Sequence, residues 1–108
     1  MIHQLRIYEI FEANKDAFHA RFRDHAVRIM QRYGFDIVAM WEAKTEQRTE
    51  FVYLLRWPDE RTKIDAWTAF MADREWDEIK KATRDRGSLV GQIEDRLLRP
   101  TAYSPSFA

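Results

Sequence analysis

No cysteine occurs among the 108 residues, which removes disulfide frameworks and thiol chemistry and fits a reducing compartment. Glycine and proline are scarce at three each, leaving no glycine-rich loop to cradle a phosphate. No serine or threonine sits in a nucleophile elbow, so classical hydrolase and nucleotide-enzyme readings find no support. Net charge is absent too, with 18 basic residues against 18 acidic ones, so there is no field to draw in nucleic acid or an anionic membrane. No apolar run approaches the ~20 residues of a membrane-spanning helix. The start, Met1-Ile2-His3-Gln4, lacks a charged region followed by an apolar run, so no secretory signal is expected. These absences predict a cytoplasmic protein without nucleic-acid or membrane partners.

What is present is a pattern of alternating and helical periods. Ile2 to Ile10 alternates as a strand, with Leu5 and Ile7 on one face and Gln4, Arg6 and Tyr8 on the other. Asn14 offers a helix N-cap, and one long amphipathic helix follows through Phe18, Phe22, Ile29 and Tyr33 to a stop at Gly34. Phe35 to Glu42 reads as a second strand, Lys44 to Arg48 as a polar turn, and Phe51 to Trp57 as a third strand closing an antiparallel hairpin. Asp59 caps a second helix bearing Ile64, Trp67, Phe70 and Met71, and a further helical segment starts at Asp73 and runs to about Arg84. Ile93 and Leu97 mark a last strand before an extended tail. The order predicts an α+β, ferredoxin-like βαββαβ fold with a four-stranded antiparallel sheet. A single domain is expected over residues 1–108, with its C-terminal tail at about 99–108.

Such a fold places its helices on one side of the sheet. Yet Phe51 to Trp57 is apolar on both faces, with Val52 and Leu54 on one and Phe51, Tyr53, Leu55 and Trp57 on the other. Parity with the first strand assigns Leu5, Ile7, Val38, Met40, Val52, Leu54, Ile93 and Leu97 to the helix-side core. It assigns Arg6, Tyr8, Ile37, Trp41, Phe51, Tyr53, Leu55, Trp57, Glu94, Arg96 and Leu98 to the open face. Aromatic rings of ~150–250 Å² each exceed what a soluble monomer leaves exposed, so a second copy is expected to cover that face as a homodimer. Charged outer faces on the helices also permit dimers to join into a tetramer or ring.

Arg6-x-Tyr8, Gly34 followed by Ala39-x-Trp41, Asp73-x-Glu75-Trp76 and the tail Arg96-Leu97-Leu98-Arg99-Pro100-Thr101-Ala102-Tyr103-Ser104-Pro105 together resemble the NIPSNAP family. The likeness spans nearly the whole chain. It implies the dimeric α/β-barrel superfamily, in which two ferredoxin-like subunits pack sheet against sheet. That superfamily includes cofactor-free monooxygenases, isomerases of small lactones and haem-binding peroxidase-like proteins. The chain departs from the family pattern at Tyr53, where relatives often carry His, and at Trp57, where Tyr is more usual.

Arg6 and Tyr8 are the first candidates for a ligand site, because a guanidinium grips a carboxylate or enolate while a phenol on the same face donates to a neighbouring oxygen. The competing reading pairs Arg6 with Glu94 or another carboxylate of the open face. Arg96 carries the same two readings. Trp41, Tyr53 and Trp57 are candidate aromatic walls for a small hydrophobic or aromatic anion held between the sheets, or plain interface anchors. His25, on the helix stripe with Phe18 and Phe22, is a candidate general base or a buried hydrogen-bonded histidine. Catalytic candidates are therefore Arg6, Tyr8, Tyr53 and His25. Trp67, Phe70 and Trp76 read as packing. Three histidines dispersed without i, i+4 spacing give no metal signature, and no metal or other cofactor is expected, haem on one histidine being the weaker alternative. Two functions stay open: a cofactor-free monooxygenase or isomerase, and a non-catalytic dimerisation or ligand-binding module.

Overall fold

The structure, a computed structural model, describes residues 1–84 and 87–106. Strands β1 (Ile2–Ile10), β2 (Asp36–Lys44), β3 (Thr49–Trp57) and β4 (Val90–Leu98) form one antiparallel sheet in the order β2-β3-β1-β4. Helical segments Lys15–Arg21 (α1), Phe22–Ala26 and Val27–Arg32 (α2) follow one another, and α3 (Glu60–Met71) and α4 (Arg74–Arg84) lie between β3 and β4. This is the ferredoxin-like arrangement that the element order predicts.

Local chemistry sets the boundaries. Asp59 accepts the Thr62 amide at 2.7 Å to start α3, and Asp73 accepts the Trp76 amide at 2.8 Å to start α4. Gly34, at φ 83°, supplies the left-handed residue that turns the chain after α2. Asn14 precedes α1 as predicted but does not cap it; its amide donates instead to the Ser88 carbonyl at 2.9 Å, tying the first helix to the approach to β4. The expected single helix is interrupted by the π-helical turn Phe22–Ala26, a wider winding that rotates Phe22 onto Phe51 and Tyr53 at ring separations of 4.6 and 5.1 Å.

On the two central strands the faces are the reverse of those parity suggested. Phe51, Tyr53, Leu55 and Trp57 face the helices and are buried, opposite Tyr8, Arg6, Gln4 and Ile2 of β1. Leu5, Ile7, Val52 and Leu54 therefore look out of the open face. The physical reason is area: the aromatic set of β3 removes more apolar surface from water than Val52 and Leu54 would. Its partner set on β1 is polar only at the centre, being flanked by buried Ile2 and Ile10. A bulge at Val38 then resets β2, so that Ile37 faces the helices opposite Leu55 and Met40 does so opposite Tyr53, while Trp41 stands opposite Val52 on the open face. On β4 the assignments stand: Ile93 and Leu97 lie opposite Tyr8 and Gln4 on the helix face, and Glu94, Arg96 and Leu98 lie on the other.

Candidate functional site

Reversing β1 and β3 carries Arg6, Tyr8 and Tyr53 into the layer between sheet and helices, where every polar atom requires a partner. Arg6 Nε donates to the Tyr53 hydroxyl at 3.4 Å and Nη2 to the Tyr8 hydroxyl at 3.0 Å, while Nη1 meets Asp95 at 2.8 Å. The two phenol oxygens lie 2.7 Å apart. Below them Gln4 accepts both indole N–H groups, from Trp57 at 3.0 Å and Trp67 at 2.8 Å, and donates its amide to Asp95 at 2.8 Å. Two indole donors leave the amide oxygen as their acceptor, which fixes the orientation of Gln4. Trp67 also lies beneath the guanidinium, 4.5 Å from its ring centre to Arg6 Cζ.

Burial works against the Arg6 charge, but the facing phenol oxygens of Tyr8 and Tyr53 outweigh it and hold its pKa above the ordinary arginine value. Burial first, and then Tyr8, push the Tyr53 phenol well above its usual range, so it stays protonated. One proton serves the bond between the phenols, and Tyr53 is fully buried while Tyr8 borders a cavity, so the arrangement in which Tyr53 donates leaves the Tyr8 O–H directed to the cavity. Of the five guanidinium hydrogens of Arg6, three have the partners named above, leaving one on each Nη.

That cavity has a volume of about 220 Å³ and lies between β1, β4 and the helices. Phe18, Phe22, Phe70, Trp67 and Trp76 wall it. The helices leave β4 uncovered, so Ile93, at the rim, is 52% exposed although it points to the helix side. Among the described residues that line it there is no carboxylate, while Arg6, Arg21 and Lys80 all do. The space suits a small planar molecule bearing an anionic oxygen, below the ~300–1,000 Å³ of drug-sized pockets.

Residues 3–105 match the NIPSNAP family. The chain belongs to that family. A NIPSNAP domain protein of Burkholderia xenovorans has the same fold at 18% identity, covering 98% of this chain and 100% of that one, with a TM-score of 0.81. A NIPSNAP family protein of Agrobacterium tumefaciens is similar at 19% identity, with 97% and 92% covered and a TM-score of 0.81. A monooxygenase of Streptomyces coelicolor, in complex with nanaomycin D, is similar in fold at 13% identity, with 97% and 92% covered and a TM-score of 0.60. Among curated proteins nothing matches.

In this NIPSNAP chain the predicted site residues divide between the two faces. Arg6, Tyr8 and Tyr53 are together, but on the helix side of the sheet and not between two sheets. Trp57 is 1% exposed and serves the Gln4 network, so it is no cavity wall. Trp41, 50% exposed, and Arg96, paired with Glu94 at 2.7 Å, stand on the open face, away from the cavity. The carboxylate on Arg6 is Asp95, not Glu94, because the β1–β4 register sets Arg6 opposite position 95. His25 meets Arg28 at 2.9 Å and does not line the cavity. Trp67, Phe70 and Trp76, which read as packing from the sequence, wall the cavity, and the helical stripe that carries them is the signal for it; no local pattern in the sequence marks Arg21.

The Asp73-x-Glu75-Trp76 motif is explained by position. Asp73 caps α4 with one oxygen and takes Arg32 at 3.0 Å and the Tyr33 hydroxyl on the other. Glu75 bridges Arg28 at 2.6 Å and Arg32 at 2.9 Å, and Trp76 turns inward onto Phe70 and the cavity. The motif fastens α4 to α2 and so sets the far wall of the site.

Proposed function

We propose that this NIPSNAP protein binds a small planar anion in the cavity between helices and sheet, with Arg6 and Tyr8 holding the anionic oxygen and Phe18, Phe22, Trp67 and Trp76 enclosing the ring. The observation that carries the reading is the set of donors left over at Arg6 and Tyr8 on the border of an aromatic cavity. Donors fixed by Tyr53, Gln4 and Trp67 before a ligand arrives are preorganised, which is what stabilising an enolate charge requires. In the enzyme form of this reading the protein is a cofactor-free monooxygenase or isomerase, and the fold it shares with a monooxygenase that holds nanaomycin D supports that form. The second reading, a ligand-binding or dimerisation module without catalysis, is favoured by the ion pair Arg6 already makes with Asp95.

The protein acts in this reading as a cytoplasmic homodimer joined through the open sheet face, where Leu5, Ile7 and Val52 are partly exposed and Trp41 and Leu98 more so. The test of the site is calorimetric titration with benzoate. Arg6→Met is expected to weaken binding by about tenfold or more, the worth of one charge-assisted hydrogen bond. Equal affinity in wild type and variant removes Arg6 from the site.

A further inference from the structure

Arg6 accounts for one anionic group, yet the same cavity has a second cationic station that the proposed site does not use. Arg21 reaches it from α1 and Lys80 from α4, both half-buried, and each lies over the Trp76 ring, with Arg21 Cζ 5.5 Å and Lys80 Nζ 5.8 Å from its centre. Among the described residues neither has a carboxylate within ion-pair distance. Arg21 donates instead to the Thr83 hydroxyl at 3.0 Å, and that hydroxyl donates to backbone carbonyls of its own helix, so its oxygen is turned to the guanidinium. Burial pulls the Arg21 pKa below the ordinary value and Tyr8 partly offsets this, yet a guanidinium keeps its charge at neutral pH.

A half-buried cation without an acid has a cost that surface arginines avoid. The other half-buried arginines among the described residues, Arg6, Arg48 and Arg56, meet carboxylates at 2.8, 2.8 and 2.9 Å. Arg21 and Lys80 also border a second hollow of about 180 Å³, which shares them and Val90 with the main cavity, so a ligand group placed there reaches both cations.

We propose that Arg21 and Lys80 form a second anion station and that the ligand is a planar molecule with two acidic groups, one on Arg6 and Tyr8 and the other on Arg21 and Lys80. The proposal rests on the cavity being the binding site, and it narrows the ligand class from anions to dianions. The aromatic walls grip the ring between the two stations, and the absence of lining carboxylates repels neither end.

The experiment is calorimetric titration of the full chain with benzene-1,3- and benzene-1,4-dicarboxylate, each against its monomethyl ester, which keeps the shape and removes one charge. At least one diacid is expected to bind about tenfold tighter than its ester, as one additional charge-assisted contact gives. Arg21→Gln should bring that ratio close to one, and Arg21→Lys, which keeps the charge, should retain part of it. Lys80→Gln, which removes the other cation of the station, should lower the ratio as well. Binding of the esters with no preference for either diacid overturns the second station and leaves the Arg6 site standing. So does a ratio that survives both Arg21→Gln and Lys80→Gln. Failure of esters and diacids alike to bind the wild type overturns the cavity as an anion site, and the second station with it.

Discussion

Tyr53 shows how a polar side chain comes to be buried at the centre of a sheet. Its hydroxyl accepts from Arg6 and shares a proton with Tyr8, while its ring packs on Phe22 and Phe51. Tyr53→Phe keeps the ring but removes a fully buried hydroxyl that accepts from Arg6 Nε and donates to Tyr8, at a position water does not reach, so it is expected to cost about 1–3 kcal/mol in chemical denaturation. Tyr8→Phe removes a hydroxyl at the cavity border, where water replaces it, and is expected to cost less. The reverse order of the two losses would contradict the assignment of Tyr53 as the enclosed donor. At this scale the sequence was informative about pairs and silent about partners. Arg6 and Tyr8 were legible as a unit because a strand repeats every second residue. Asp95 was not separable from Glu94, since one step of register decides between them. Arg21 looks like any helix-surface arginine until α4 is laid against α1, and only that packing half-buries it.

The elements owe their relative positions to aromatic contacts and to ionic ones, and acid loosens the ionic ones. Hydrogen bonds from Arg28 and then Arg32 hold the Glu75 carboxyl at about 2, down from its ordinary 4.5. The Tyr33 hydroxyl first, and then the Trp76 amide, hold Asp73 below its ordinary 3.8. A carboxylate whose pKa is lower in the folded state stabilises the fold above its unfolded pKa, and that contribution disappears as pH falls through the folded value. Melting temperature should therefore drop between pH 5 and about pH 2, and the drop should be smaller in Asp73→Asn and Glu75→Gln, which start from a lower plateau. Because Glu75 is substantially exposed, about 1 M salt, with a screening length near 3 Å, should remove part of its share but little of the Asp73 capping bond. A pH profile unchanged by both substitutions would rule out this clamp as the acid-sensitive joint. Asp59 was legible in the sequence as a cap, and Asp73 as the place where the next helical segment starts. The faces of β1 and β3 were not, because alternation gives two sets without saying which one the helices cover. Reading polar Gln4 and Arg6 as outward was the error: a hydrogen-bond network on Gln4, Asp95, Trp57 and Trp67 makes the inward choice affordable. Nor does any residue near Val38 announce the bulge that resets β2.

At the scale of the molecule, the order of elements was enough to give the ferredoxin-like sheet, since each strand and helix carried its own period and the connections left few topologies. The case for a second copy survives the exchange of faces with different residues. The outward set Leu5, Ile7, Val52 and Leu54 runs down the two central strands, with Trp41 and Leu98 exposed at 50% and 40% on either side. One end of the face is charged, where Arg48 joins Glu50 at 2.8 Å and Glu94 at 3.2 Å, and Arg96 joins Glu94 at 2.7 Å. Toward the other end, tail residues Pro100, Ser104 and Pro105 wall a hollow of about 460 Å³ beside Leu54 and Leu98. An apolar centre with a polar rim is the composition of a subunit interface, and a twofold axis through the sheet would lay the stripe on its own copy. Sedimentation at micromolar concentration is expected to give a dimer. Val52→Glu, at the middle of the stripe and opposite Ile7, would bury an unpaired charge and should raise the dissociation constant by about a hundredfold or more, whereas a monomer would expose the same side chain to water and fold normally. Trp41→Ala should weaken the dimer by about 2 kcal/mol if the indole anchors the contact. A wild type that sediments as a monomer would leave the face open for some other cover, and the helix-side cavity, walled wholly by residues of one chain, would stand without the dimer.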